Sequence, residues 1–194
     1  MQKEIWPYQS DTDFYFKFQS TYMRAFYAID LDEKVRDSIY EFEKKLEGNM
    51  KKVEKENIHI TILFLGEQDE ESIDKLKRVR LDEEEFQCRI GKLGTFGGRF
   101  RSVIFLEIDE GKEKIKKIYE SLSTEVSSLG IKFEKERDFV PHITLARAKG
   151  RFSVRGEKED FGSFVVKSIK LKKSVITKNG PSYFDIAEIP LRKV

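Results

Sequence analysis

The chain has 194 residues, and its 37 Lys and Arg stand against 35 Asp and Glu, leaving a formal net charge of only +2. That balance excludes a strong polyanion-binding field arising from total charge, and 39% hydrophobic residues suffice for one domain, or one duplicated domain, with a real core. The lone cysteine, Cys88, excludes an intrachain disulfide framework and a cysteine-rich metal site; with no apolar run near ~20 residues and no signal-peptide pattern, the expectation is a soluble cytoplasmic protein.

Residues 1–22 show no clean period before the aromatic run Phe14–Phe18, and are expected to form an N-terminal extension outside the core. A patterned strand, Ala25–Ile29, follows Met23, then Asp30 and a helix predicted from about Glu33 to Leu46. The next strand, Asn57–Leu65, contains the frame His59-Ile60-Thr61-Ile62. Glu70–Arg80 reads as a helix, and Glu85–Leu93 as a strand running into the loop Gly94–Gly98.

The pattern then repeats. Val103–Ile108 is a strand, Asp109 follows it, and a helix is predicted from about Lys112 to Leu129. The next strand, Val140–Ala146, holds the frame His142-Ile143-Thr144-Leu145. Phe164–Leu171 and Ser174–Thr177 alternate like strands, and Asn179-Gly180-Pro181 marks a hairpin into Tyr183–Ile189. Asp30 and Asp109 each stand between a strand and a helix, which suits helix capping. The expected architecture is an α+β fold, a single bilobal domain over 23–194. In it a duplicated strand-helix-strand unit builds two lobes, whose antiparallel sheets face a central groove with helices on the outer faces.

The chain's two histidines both lie in these matched frames. Residues two apart on a strand share a face, so His59 with Thr61 and His142 with Thr144 would point into the groove while Ile60, Ile62, Ile143 and Leu145 are buried behind them. Histidine titrates near neutrality, so a convergent pair can supply an acid and a base, and the two hydroxyls can donate to phosphate oxygens. A zinc site would need further ligands; with one cysteine and no carboxylate patterned beside either frame, no metal and no cofactor is expected.

In these residues the chain resembles the 2H phosphoesterases, specifically the LigT-like RNA 2′,3′-cyclic phosphodiesterases, also called 2′-5′ RNA ligases. The resemblance covers about 23–194. It rests on Met23–Asp30, Glu56–Glu67 around the first frame, Leu93–Phe96, and Phe139–Arg147 around the second. It implies hydrolysis of RNA 2′,3′-cyclic phosphate ends to 2′-phosphates, with weak reverse 2′-5′ ligation as a companion reaction. His142 is the implied base and His59 the implied acid, with Thr61 and Thr144 on the phosphate. It also implies that Arg147 contacts phosphate or base and that Phe64 stacks on the base. Strict alternation turns Phe64 and Arg147 away from the groove, so each role requires its strand to twist or end first. Where the family often has Trp, this chain has Phe105, which reads as a packing variation.

The expected partner is RNA with 2′,3′-cyclic phosphate ends, tRNA halves among the candidates, bound by a monomer without membrane contact. Arg99, Arg101, Lys170, Lys172, Lys173 and Lys178 suit either an RNA path or a solvated lysine-rich face, and Tyr183 falls near the groove without an assigned role. The second reading is an RNA- or nucleotide-binding module that uses the same groove without efficient turnover.

Overall fold

A computed structural model describes residues 22–98, 100–154, 160–178 and 180–193. The expected extension over 1–22, apart from Tyr22, lies outside these residues, as do Arg99 and Asn179. The elements in order are β1 (Tyr22–Asp30), α1 (Glu33–Lys44), β2 (Leu46–Lys52), a 3-10 turn (Lys55–Asn57), β3 (His59–Asp69), α2 (Glu70–Leu76) and β4 (Phe86–Gly97). Then come β5 (Ser102–Glu110), α3 (Lys112–Ser128), β6 (His142–Val154), β7 (Ser163–Val166), β8 (Ser168–Thr177) and β9 (Gly180–Pro190).

The two expected lobes are halves of one continuous sheet, ordered β7-β4-β5-β6-β3-β1-β8-β9, with β2 pairing onto β6. The histidine strands β3 and β6 meet at its centre through the antiparallel pair Ile60↔Ile143. Outward on either side come the strand of its own repeat, β1 or β5, and then a strand from the other half, β8 or β4. Each lobe is therefore completed by an exchanged strand, which locks the halves together.

The helices form where an apolar stripe recurs. Val35, Ile39 and Phe42 on α1, and Ile115, Ile118, Leu122 and Val126 on α3, are buried at helical spacing. They join sheet residues such as Ile60, Leu106, Ile143 and Leu171 in the core.

Several expectations need correction. The capping aspartate of α1 is Asp32, whose Oδ1 accepts from the Val35 N–H at 2.8 Å, while Asp30 stays in β1. The N-cap of α3 is Gly111 at φ 85°, where a Cβ would meet the Gln87 carbonyl at 2.6 Å. Asp109 remains in β5, its carboxylate lying against Gly91. The segment Gly94–Gly97, read as a loop, continues β4 by pairing with Phe105–Ser102. β2 was not anticipated: Gly48-Asn49-Met50 carries no strand period, and the segment is held by its pairing with β6.

Candidate active site

Both histidines sit at the first position of their strands, β3 and β6. Antiparallel pairing of Ile60 with Ile143 places His59 across from Thr144 and Thr61 across from His142. The two isoleucines are fully buried behind that diagonal square. His59, Thr61, His142 and Thr144 all line one groove, together with Phe64, Arg147, Phe26, Lys51 and Tyr183.

The two imidazoles are held in the same way. His59 Nδ1 lies 2.6 Å from the Asn57 carbonyl, and His142 Nδ1 lies 2.7 Å from that of Val140. A carbonyl only accepts, so each Nδ1 carries the proton, and in the neutral ring Nε2 is the nitrogen with the free lone pair. His59 Nε2 is 2.8 Å from Thr61 Oγ1, which donates to it in that state. Asn57 is itself fixed, its Nδ2 donating to the Pro181 carbonyl at 2.7 Å and tying the 3-10 turn to β9.

Each histidine is also held by two aromatic rings. His59 lies 5.3 Å from both Phe26 and Tyr183, the latter edge-on. His142 lies 5.2 Å from Phe96 and 5.3 Å from Phe105, and those two rings stack at 4.0 Å. Phe105 is thus more than a packing variation, because its ring supports an imidazole. None of the four rings was assigned a role from sequence, since cross-strand register brings them to the histidines. Burial pushes the His59 imidazolium down to about 4, against the Asn57 carbonyl. The Lys172 charge pushes it down further, and Asp30 opposes that.

Phe64 and Arg147 both face the groove, and strand irregularities explain how. The β1–β3 register skips Ile62, and the β5–β6 register skips Leu145. Each is the extra residue of a β-bulge, so Ile62 and Leu63, like Leu145 and Ala146, are buried in succession. The next residue in each strand then rejoins the histidine face. Phe64 is 50% exposed and leans on Phe26 at 5.9 Å. From His59 to Glu67 and from His142 to Gly150 the burial patterns are identical.

Of the basic residues singled out, Lys172 is 8% exposed and pairs with Asp30 and Asp185, while Lys170 pairs with Glu188 at 2.8 Å. Lys173 lies over the Phe184 ring. These three side chains are engaged with protein partners, whereas Arg101 opens onto a depression next to the groove. Among the described residues no three His, Cys, Asp or Glu side chains form a group that could hold a metal ion, and no helix is long and apolar enough to cross a membrane.

A fold of exchanged half-sheets around two matched His-Thr pairs defines a class of protein, and comparison with known proteins identifies it. Residues 32–160 match the model of the 2′-5′ RNA ligase superfamily. A Methanocaldococcus jannaschii protein named RNA 2′,3′-cyclic phosphodiesterase is 38% identical over 177 residues, spanning 86% of this chain and 99% of its own. A Methanothermobacter thermautotrophicus protein of the same name is 34% identical, spanning 84% of this chain and 96% of its own. The solved structure of TT0787 from Thermus thermophilus superposes with a TM-score of 0.75 at 31% identity, over 88% of this chain and 99% of that one. The chain belongs to the 2′-5′ RNA ligase superfamily.

Proposed function

We propose that the protein hydrolyses the 2′,3′-cyclic phosphate ends of RNA to 2′-phosphates, within one bilobal domain over 23–194. The observation that carries this reading is the diagonal square of two imidazoles and two threonines, each imidazole fixed through Nδ1. The names of the relatives support the substrate class.

The phosphate sits between the two His-Thr pairs, with the Thr61 and Thr144 hydroxyls donating to its non-bridging oxygens and Arg147 neutralising its charge. A water attacks phosphorus in line and gives its proton to His142 Nε2. The bond from phosphorus to O3′ breaks, and His59 Nε2 delivers a proton to that oxygen. Before substrate binds, burial keeps His59 neutral at pH 7, its pKa being about 4. The anionic phosphate beside it favours the charged ring, so His59 becomes the acid once substrate is bound. Phe64, exposed beside Phe26, offers a face to the terminal base. With a 5′-hydroxyl in place of water the same steps give a 2′-5′ linkage, and tRNA halves with such ends are suitable substrates. The free, buried Cys88 suits a reducing cytoplasm.

The test is incubation with adenosine 2′,3′-cyclic phosphate in EDTA. Formation of 2′-AMP is expected. Formation of 3′-AMP would contradict the assigned leaving oxygen, and tight binding with no product would favour a binding module.

A further inference from the structure

The groove does not end at Arg147. Beyond it β6 continues through Lys149, and a second depression of about 790 Å³ opens on the same face of the sheet. Lys51 and Arg147, cross-strand partners on β2 and β6, line both cavities and so stand at their junction. The floor of the depression is apolar, made by Phe96, Met50 and Val103. Phe96 is 39% exposed even though one face stacks on Phe105.

The charged residues lining the depression are all cations: Lys51, Arg101, Arg147 and Lys149. Among the described residues no ion pair is formed by any of the four, although lysines elsewhere are widely paired, as in Lys55–Asp37, Lys75–Glu71 and Lys172–Asp30. Clustered cations without carboxylate partners, around an apolar floor with one aromatic ring, match the chemistry of a single-stranded nucleotide. The base covers the ring, and the backbone phosphate meets the cations.

We infer that this depression is a second nucleotide subsite, which receives the penultimate nucleotide of the RNA whose cyclic end occupies the histidine groove. The inference rests on the proposed RNA-end chemistry and makes oligonucleotides the preferred substrates. Lys51 then holds the phosphate joining the last two nucleotides at the junction, while Arg147 stays on the cyclic phosphate. Arg101 and Lys149 hold the next phosphate, and Phe96 and Met50 hold the penultimate base.

The experiment compares kcat/KM for adenosine 2′,3′-cyclic phosphate and for the 5′-phosphorylated diadenosine ending in the same cyclic phosphate, in wild type and in the double variant Arg101→Ala/Lys149→Ala. Both side chains are exposed, so the fold is kept. Wild type should prefer the dinucleotide by about tenfold or more, and added salt should shrink that preference. The double variant should lose most of it while keeping its mononucleotide rate.

Equal wild-type rates on both substrates, a preference retained in the variant, or an equal fall on both substrates would overturn the inference. So would a variant that keeps the dinucleotide preference but no longer binds a separate 5′-hydroxyl strand, since the subsite would then serve a second RNA. If wild type turns over neither substrate, the proposed reaction fails, and anisotropy of a labelled trinucleotide ending in a 2′-phosphate still reads the subsite. Weaker binding by the variant supports it, and equal binding overturns it.

Discussion

Phe64 and Arg147 occupy the same place in the two halves of the molecule, each three residues after its threonine and each turned onto the histidine face by a one-residue bulge. The duplicated backbone thus presents two positions beside the histidine groove, one filled by an aromatic ring and the other by a guanidinium. Phe64→Ala should raise KM for adenosine 2′,3′-cyclic phosphate by about tenfold, the value of a lost base stack, with kcat little changed. Arg147→Ala should lower kcat as well, because charge on the phosphate grows in the transition state, and Arg147→Lys should restore only part of the loss. Steady-state kinetics of the three variants decide it; an unchanged KM for Phe64→Ala would remove the ring from the site.

The proposed division of labour between the imidazoles has its own test. Replacing O3′ of the cyclic phosphate by sulfur gives a leaving group that needs little protonation. His59→Ala should then lose far less activity on the sulfur substrate than on the oxygen one, while His142→Ala should lose about the same on both. The opposite pattern would exchange the roles. On the oxygen substrate wild type should show a bell-shaped rate profile, and a flat one from about pH 5 to 9 with chemistry rate-limiting would contradict paired acid–base catalysis.

Gly94 supports His142 indirectly. A Cβ there would lie 2.6 Å from the tip of the Phe105 ring, and that ring touches both Phe96 and His142. Gly94→Ala should therefore displace Phe105, lowering stability by about 1–3 kcal/mol and kcat with it. Gly94→Ala/Phe105→Leu should recover stability without recovering kcat. Thermal melts and kinetics of the pair measure this, and a Gly94→Ala protein with wild-type values of both would refute the steric account.

The frames around His59 and His142, their alternation and the strand-helix repeat were all legible in the sequence, because the period of two and the apolar helical stripes are local properties. The bulges at Ile62 and Leu145 were not, since both are ordinary apolar residues whose extra place is set by the neighbouring strand. The same reason hides Phe26, Phe96, Phe105 and Tyr183: each reaches a histidine from a different strand, and only register brings them there. The strand Leu46–Lys52 is not legible in the sequence because pairing with β6, rather than its composition, holds it extended. The capping residue of α1 was misplaced by two positions because Asp30 and Asp32 are equally suited by type, and the strand keeps Asp30 for Lys172.

Two groups with opposed titrations shape stability against pH. Burial lowers His59 from 6.5 to about 4, so the unfolded chain binds the proton first, and stability falls as pH drops from 6.5 towards 4. Burial raises Glu43 from 4.5 to about 7 against the hydrogen bond from Val53 N–H, so its contribution runs the other way, falling as pH rises from 4.5 towards 7. Each effect is on the order of 3 kcal/mol, and they offset between pH 4.5 and 6.5. Glu43→Gln should leave stability declining with falling pH, and His59→Gln should leave it rising. Urea titrations across that range read the slopes, and parallel curves for the two variants would contradict the assignment.

The most direct test of the account is the rate of 2′-AMP formation from adenosine 2′,3′-cyclic phosphate by wild type, His59→Ala, His142→Ala and the double variant. Each single variant should lose about 10²–10⁴ in kcat, and the double variant should lose far less than the product of the two, because acid and base act in one transition state. A single variant retaining near-wild-type turnover would show that the paired imidazoles are not the catalytic groups.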